Sequence, residues 1–328
     1  MADIKLSIVI TSADSELGQA TVRQFVAQGH KVTGLTQEKD GAAAVHSAGG
    51  VAVETDHSSG VELRDAILAA NPDVVVNLTP QKANTLLSDG QDWKGFDKTL
   101  STTTGALLTA VKDTNIKLLI HTSYTFLYGN TKEATENTPL SVPGDDAIFK
   151  MAIATENQVT NSQIPTCVLR MGYLYGPESE DLKLYIKSFK MGRPYFAGPE
   201  SNLGNWLHFE DAAAALVKVA DEQEPKGAIF NVVDGVPVSF ADFIDRFAFT
   251  LGRKRPAHIP MWLTPLALVL VVTPQQVDLL KLSTTVNSES FRKQFGWSPR
   301  YVSYREGLQQ TVDTWGSSAS WIVGISGN

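Results

Sequence analysis

A chain of 328 residues with 43% hydrophobic content can bury a large core, and it fits one large α/β unit with a smaller lobe better than two independent domains. Its 28 basic and 35 acidic residues leave a net charge of -7, which offers no electrostatic footprint for nucleic acid. The single cysteine, Cys167, excludes an internal disulfide and, within the apolar run Ile164 to Leu169, reads as a buried thiol.

The first ten residues run straight into a strand, without the charged start, long apolar stretch and cleavage site of a secretory signal, so the expected location is the cytoplasm. Strand-like runs fall at Ile4 to Thr11, Lys31 to Thr36, Val51 to Glu54, Asp73 to Leu78, Ile116 to Thr122 and Thr166 to Met171. Amphipathic stretches alternate with them, the pattern of a parallel sheet covered on both faces. Between the first two runs, Leu17, Thr21, Val22, Phe25 and Val26 share one helical face, and Gly29 provides the stop. A later helix, capped by Asp145 or Asp146, turns Ile148, Ala152, Thr155 and Val159 inward and ends near Pro165.

Beyond Gly176-Pro177 the alternation fades. Helices are expected around Leu182 to Lys190, Phe209 to Asp221, Phe240 to Leu251, Ser288 to Phe295 and Ser303 to Trp315, with a strand-like run at Ala228 to Val233. Arg253-Lys254-Arg255 reads as a solvated turn. The apolar run Met261 to Val272 is shorter than the roughly 20 residues a bilayer requires. It reads as a core helix of the smaller lobe, the alternative being a docking surface for a membrane or a partner protein.

Several segments, in this order and spacing, resemble the extended short-chain dehydrogenase/reductases of the NAD-dependent epimerase/dehydratase type. They are Asp56 with Leu63 to Ile67, Asp73 to Leu78, His121 to Gly129 ending in Leu-Tyr-Gly, Leu169 to Pro177, Trp206 to Asp211, Phe230 to Gly235, and Phe295 to Arg300 followed by Glu306-Gly307-Leu308. The resemblance implies a Rossmann-type, doubly wound parallel sheet with a smaller, mainly helical substrate lobe. The dinucleotide-binding lobe would comprise residues 1–177 with a return segment 206–235, and the substrate-type lobe residues 178–205 and 236–328. It also implies an NAD or NADP ligand and a homodimer formed through two helices flanking the site.

Against that family, the reactive positions of this chain are changed. A glycine-rich turn after the first strand needs one glycine for the tight turn, a second for close approach to pyrophosphate and a third for helix packing. Here the turn reads Thr11-Ser12-Ala13-Asp14-Ser15-Glu16-Leu17-Gly18, and only the third glycine survives. Ser12 is expected to adopt a glycine-like conformation at a cost of about 1–3 kcal/mol. Ser15 or a neighbouring carboxylate is expected to cap the N–H groups that a phosphate would otherwise engage. The residues left for a dinucleotide are Ser12, Ser15, Leu17, Gly18, Asp56 and Thr79, with Asp56 at the position of the family's adenine contact. Pro80 stiffens the exit of the fourth strand, and Leu35-Thr36-Gln37 carries neither the carboxylate nor the arginine that would mark NAD or NADP.

With Glu156 matching the acidic residue four places after the family's lysine, the Tyr-x-x-x-Lys pair falls on Ile148 and Ala152, neither of which can move a proton. The remaining catalytic position, normally serine or threonine, is Tyr124. Tyr124 is either a relocated acid or a ring filling vacated volume, and Ser123 is a weaker candidate acid. A literal Tyr128-x-x-x-Lys132 reads as an accident, because Gly129 interrupts the helix it would need. His208 and Asp211 read as structural, and no metal-site spacing is present.

The leading expectation is therefore a catalytically degenerate member with a binding, regulatory or assembly role, its site holding NAD or NADP weakly or holding none. The alternatives are an active NAD(P)-dependent reductase, epimerase or dehydratase using Tyr124, and an accessory subunit of a larger, membrane-associated complex docking through 261–272. The expected partners are a small-molecule or nucleotide ligand and a protein partner or second copy, with no nucleic acid.

Overall fold

A computed structural model describes residues 5–37, 39–78, 95–141, 147–192, 195, 198–222, 227–265 and 273–317. Thr79, Pro80, Asp145, Asp146 and residues 266–272 of the apolar run lie outside the described residues.

In chain order the amino-terminal part runs β1 (Ser7–Ile10), α1 (Glu16–Ala27), β2 (Lys31–Thr36), α2 (Gly41–Ser47), β3 (Val51–Glu54), α3 (Gly60–Ala70), β4 (Val74–Asn77), α4 (Phe96–Val111) and β5 (Leu118–Tyr124). There follow β6 (Thr131–Ala134), α5 (Ala147–Thr160), β7 (Thr166–Met171), β8 (Tyr173–Tyr175), α6 (Glu180–Lys190), β9 (Trp206–His208), α7 (Phe209–Glu222) and β10 (Ala228–Val232). The last part is α8 (Phe240–Thr250), α9 (Pro274–Lys281), β11 (Thr284–Val286), α10 (Glu289–Phe295) and α11 (Tyr304–Ser317).

Seven strands pair in parallel in the order β3-β2-β1-β4-β5-β7-β10. Connections leave β1 for one side of the sheet and β4 for the other. The crevice outside the carboxyl ends of those two strands is where such sheets bind ligands. The period-two alternation of strands sorts the core into two layers. Ile8, Ile10, Val74 and Val76 face α1 and α7, whereas Val9, Leu35, Val75 and Leu119 face α3 and α4. A second cluster, rich in aromatic residues, is built from α5, α6, α8, α11 and the ends of β5, β8 and β9.

Some expectations need correction. The fifth strand continues to Tyr124, two residues past the expected end, because it pairs with β7 from Leu119 through Tyr124. Trp262 is 78% exposed in a short 3-10 turn, so the described start of the 261–272 run does not carry its side chain into a core. Arg255 keeps an exposed side chain in its turn, as expected, and pairs there with Asp245 at 2.7 Å and Glu200 at 3.0 Å. Cys167 is fully buried on β7, and burial pushes its thiol up to about 12. Among the described residues, no helix is long and apolar enough to cross a membrane.

Candidate functional site

The turn after β1 is built as its sequence demands. Ser12 sits at φ 47°, in the left-handed region that glycine occupies without cost. Gly18 packs so tightly that an added Cβ would lie 2.3 Å from the Ser12 carbonyl oxygen. Ser15 is the N-cap of α1, its Oγ accepting the Gly18 N–H at 3.0 Å. The N–H groups of Glu16 and Leu17 lie ahead of the intrahelical ladder, and Leu17 itself is 1% exposed, so its side chain serves the core.

Asp56 is exposed in the loop after β3, where its carboxylate accepts from Ser58 N at 2.8 Å and Ser58 Oγ at 2.7 Å. Those hydrogen bonds hold its pKa below the usual carboxylate range. The cap of α3 is Ser59, accepting from Glu62 N, rather than Asp56. Beside it, His57 is 2% exposed with neither ring nitrogen hydrogen-bonded among the described residues. Burial pushes its pKa down to about 4, leaving a neutral imidazole with one donor and one acceptor to offer.

A dinucleotide fits these features. The left-handed Ser12 and close-packed Gly18 suit the turn to a pyrophosphate, the Glu16 and Leu17 N–H groups at the start of α1 suit an anion, and His57 offers unspent pairing capacity beside Asp56, where the resemblance puts the adenine contact.

At the other end of the crevice, α5 turns Ile148 (5% exposed) and Ala152 (4%) into the aromatic cluster that also holds Tyr124 (3%), whereas Lys150 lies on the exposed face. The Tyr124 ring stacks on Phe126 at 4.9 Å and 17°, and Phe126 continues to Phe149 at 5.6 Å and Tyr173 at 6.3 Å. Burial raises the Tyr124 pKa far above that of a free phenol, because phenolate would be stranded among hydrocarbon.

Ser123 is committed elsewhere. Its Oγ donates to Glu156 Oε2 at 2.6 Å, and Arg170 Nε donates to both Glu156 oxygens at 3.1 Å. Arg170 Nη1 reaches the Tyr128 hydroxyl at 2.6 Å, which in turn donates to Asn231 Oδ1 at 2.9 Å. This thread joins α5 to β5, β7 and β10 and accounts for Tyr128, whose partner in the literal motif, Lys132, lies on strand β6. Sequence reading took Glu156 only as a register mark and missed Arg170 and Asn231. Their polar character inside buried strands was the available signal.

A second thread runs under the crevice, with Thr11 Oγ1 donating to Asn77 Oδ1 at 3.1 Å and Asn77 Nδ2 lying 2.9 Å from His121 Nδ1. Burial lowers the His121 pKa to about 4, so the ring is neutral and Nδ1 accepts. His208 is fully buried and accepts the Glu210 N–H, while Asp211 accepts from Arg300 N at 2.7 Å and Tyr301 N at 3.0 Å. Asp211 thereby pins the carboxyl-terminal segment, and the His208 ring packs against Tyr301 at 4.4 Å. Among the described residues, no group of three His, Cys, Asp or Glu side chains is placed to hold a metal ion.

Residues 8–232 match the profile of the NAD dependent epimerase/dehydratase family. The chain belongs to that family. A 3-diazoavenalumate denitrifying reductase from Streptomyces is 28% identical over 319 residues, covering 92% of this chain and 99% of that protein. Among solved structures, the chain is similar in fold to a Bacillus anthracis dTDP-glucose 4,6-dehydratase in complex with NAD, with a TM-score of 0.76, 20% identity and coverage of 97% and 99%. A Thermus thermophilus UDP-glucose 4-epimerase complexed with NAD gives 0.76 at 18% identity, with coverage of 95% and 99%.

Proposed function

We propose that this family member is a nicotinamide-dependent reductase for electrophiles that accept hydride without a proton from the protein, with diazo compounds reacting as their diazonium cations as the substrate class. The observation that carries the reading is the hydrocarbon of Ile148 and Ala152, buried with Tyr124 where a carbonyl-reducing relative needs an acid and a cation. A carbonyl oxygen must gain a proton as it is reduced, and a positioned acid contributes about 10²–10⁴-fold to that step. A diazonium carbon has no such need. Hydride forms the new C–H bond, the C–N bond breaks, and its electron pair leaves with neutral N2, so the step balances without a proton; a neutral diazo compound takes the proton that makes it a diazonium cation from solvent beforehand.

The Streptomyces relative, named as a denitrifying reductase of a diazo compound, supports this reading over nearly the whole chain. When bound, NADH or NADPH supplies the hydride. The chain's own part is to hold the pyrophosphate at the Glu16 and Leu17 N–H groups and to keep water from a group that water destroys.

A noncatalytic, dinucleotide-binding component is the second reading, favoured by Ser15 Oγ occupying the Gly18 N–H that could otherwise serve a phosphate. Mixing the protein with NADH or NADPH and an arenediazonium salt separates the two. Protein-dependent cofactor oxidation with release of N2 and the arene supports the reductase. Dinucleotide binding with no acceleration over the uncatalysed mixture supports the second reading, and absence of binding contradicts both.

A further inference from the structure

We infer that Glu16 is a proton-linked latch: its carboxylate ties the dinucleotide turn to helix α6, and it takes up a proton when an anionic dinucleotide enters the turn. The inference rests on the dinucleotide-binding part of the proposed function. Glu16 is the first residue of α1, and its Oε1 accepts the Glu180 N–H at 2.5 Å, at the first turn of α6. Two turns along α1, Arg23 closes an ion pair with Glu178. Two contacts thus join α1 to residues 178–180, just past Gly176-Pro177.

The charges facing the Glu16 carboxylate are unbalanced. Asp181 and Glu180 confront it from α6, and the nearby cation, Lys183, is drawn to Glu180 Oε1 at 2.7 Å. Arg23, the cation on its own helix, is engaged by Glu178. Partial burial, then Asp181, raise the Glu16 pKa to about 7, with the Glu180 N–H and Lys183 pulling the other way.

A dinucleotide pyrophosphate belongs at this same helix N-terminus, which brings two more negative charges to the neighbourhood of Glu16. Its pKa must then rise further in the complex. The latch contact survives protonation, because the carboxyl C=O still accepts the Glu180 N–H. Affinity is therefore flat below pH 7 and falls as pH rises above it, by up to about tenfold per pH unit for one linked proton.

The test is calorimetric titration of the full chain with NADH and NADPH at pH 7.5, in phosphate and in Tris, whose ionisation heats differ widely. Wild type is expected to show heats that differ between the buffers by the equivalent of roughly half a proton taken up. Glu16→Gln, which keeps the accepting oxygen, is expected to bind with heats independent of buffer and an affinity flat across pH 6.5 to 8.5. Asp181→Asn is expected to move the onset of the wild-type affinity loss to lower pH. Wild-type binding with equal heats in both buffers, or undiminished proton uptake by Glu16→Gln, overturns the latch while leaving the dinucleotide reading intact. If neither dinucleotide binds in either buffer, the dinucleotide reading fails and the latch falls with it.

Discussion

Arg170 grips Glu156 from inside the sheet, its Nε 3.1 Å from both carboxylate oxygens, with both side chains at most 5% exposed. Because Glu156 is one turn beyond Ala152, this ion pair fixes the rotation of α5 and aims Ile148 and Ala152 at the crevice. Removing one partner strands the other charge in the core. Arg170→Met is therefore expected to cost about 3–5 kcal/mol in denaturant unfolding, and Glu156→Gln a smaller amount because the amide oxygen still accepts.

Tyr124→Phe separates a chemical role from a packing one. The ring stacks on Phe126 and burial disfavours its phenolate, so the variant is expected to keep diazonium reduction within about twofold of wild type. A proton donor would lose about 10²–10⁴-fold in kcat. Steady-state kinetics at saturating dinucleotide decides it, with thermal denaturation showing that the fold is retained.

Gly18→Ala tests the turn. Its Cβ would sit 2.3 Å from the Ser12 carbonyl oxygen, so α1 must move from β1. Stability should fall by roughly 2–4 kcal/mol, and dinucleotide binding should be lost at ordinary concentrations. Ser12→Gly removes a strained conformation at φ 47° and is expected to leave stability unchanged or raised by up to about 1 kcal/mol.

Glu16 also predicts a pH dependence without ligand. Its folded pKa of about 7 stands above its unfolded value of 4.5. Its contribution is therefore complete below about pH 4.5 and lost as pH rises through 7. Glu16→Gln should match wild type at pH 4.5 and be more stable at pH 8 by roughly 1 kcal/mol, a figure reduced for the partial exposure of the site. Chemical denaturation at the two pH values checks it.

Sequence periodicity marked β2, β3 and β7 at their observed ends, since each is an apolar run bounded by a turn or a proline. The inward face of α5 was equally legible, as was the cap at Ser15 and the strain at Ser12. The small β6/β11 and β8/β9 pairs were not. They are three or four residues long, and Thr131 meets a partner, Thr284, more than 150 residues away. Glu16 shows the same limit at the site. Nothing near residue 16 announces that its carboxylate will meet Glu180. His57 escaped notice because a histidine beside an aspartate in a loop carries no periodic signal that it will be buried.

The most direct test of a hydride site without a proton donor is an isotope experiment with NADH and NADPH deuterated at the transferable position of nicotinamide C4. The account predicts that the protein accelerates N2 release from an arenediazonium salt and places deuterium on the carbon that bore nitrogen, with a rate insensitive to Tyr124→Phe. Arene carrying hydrogen from solvent at that carbon, or no acceleration over the protein-free mixture, would contradict it.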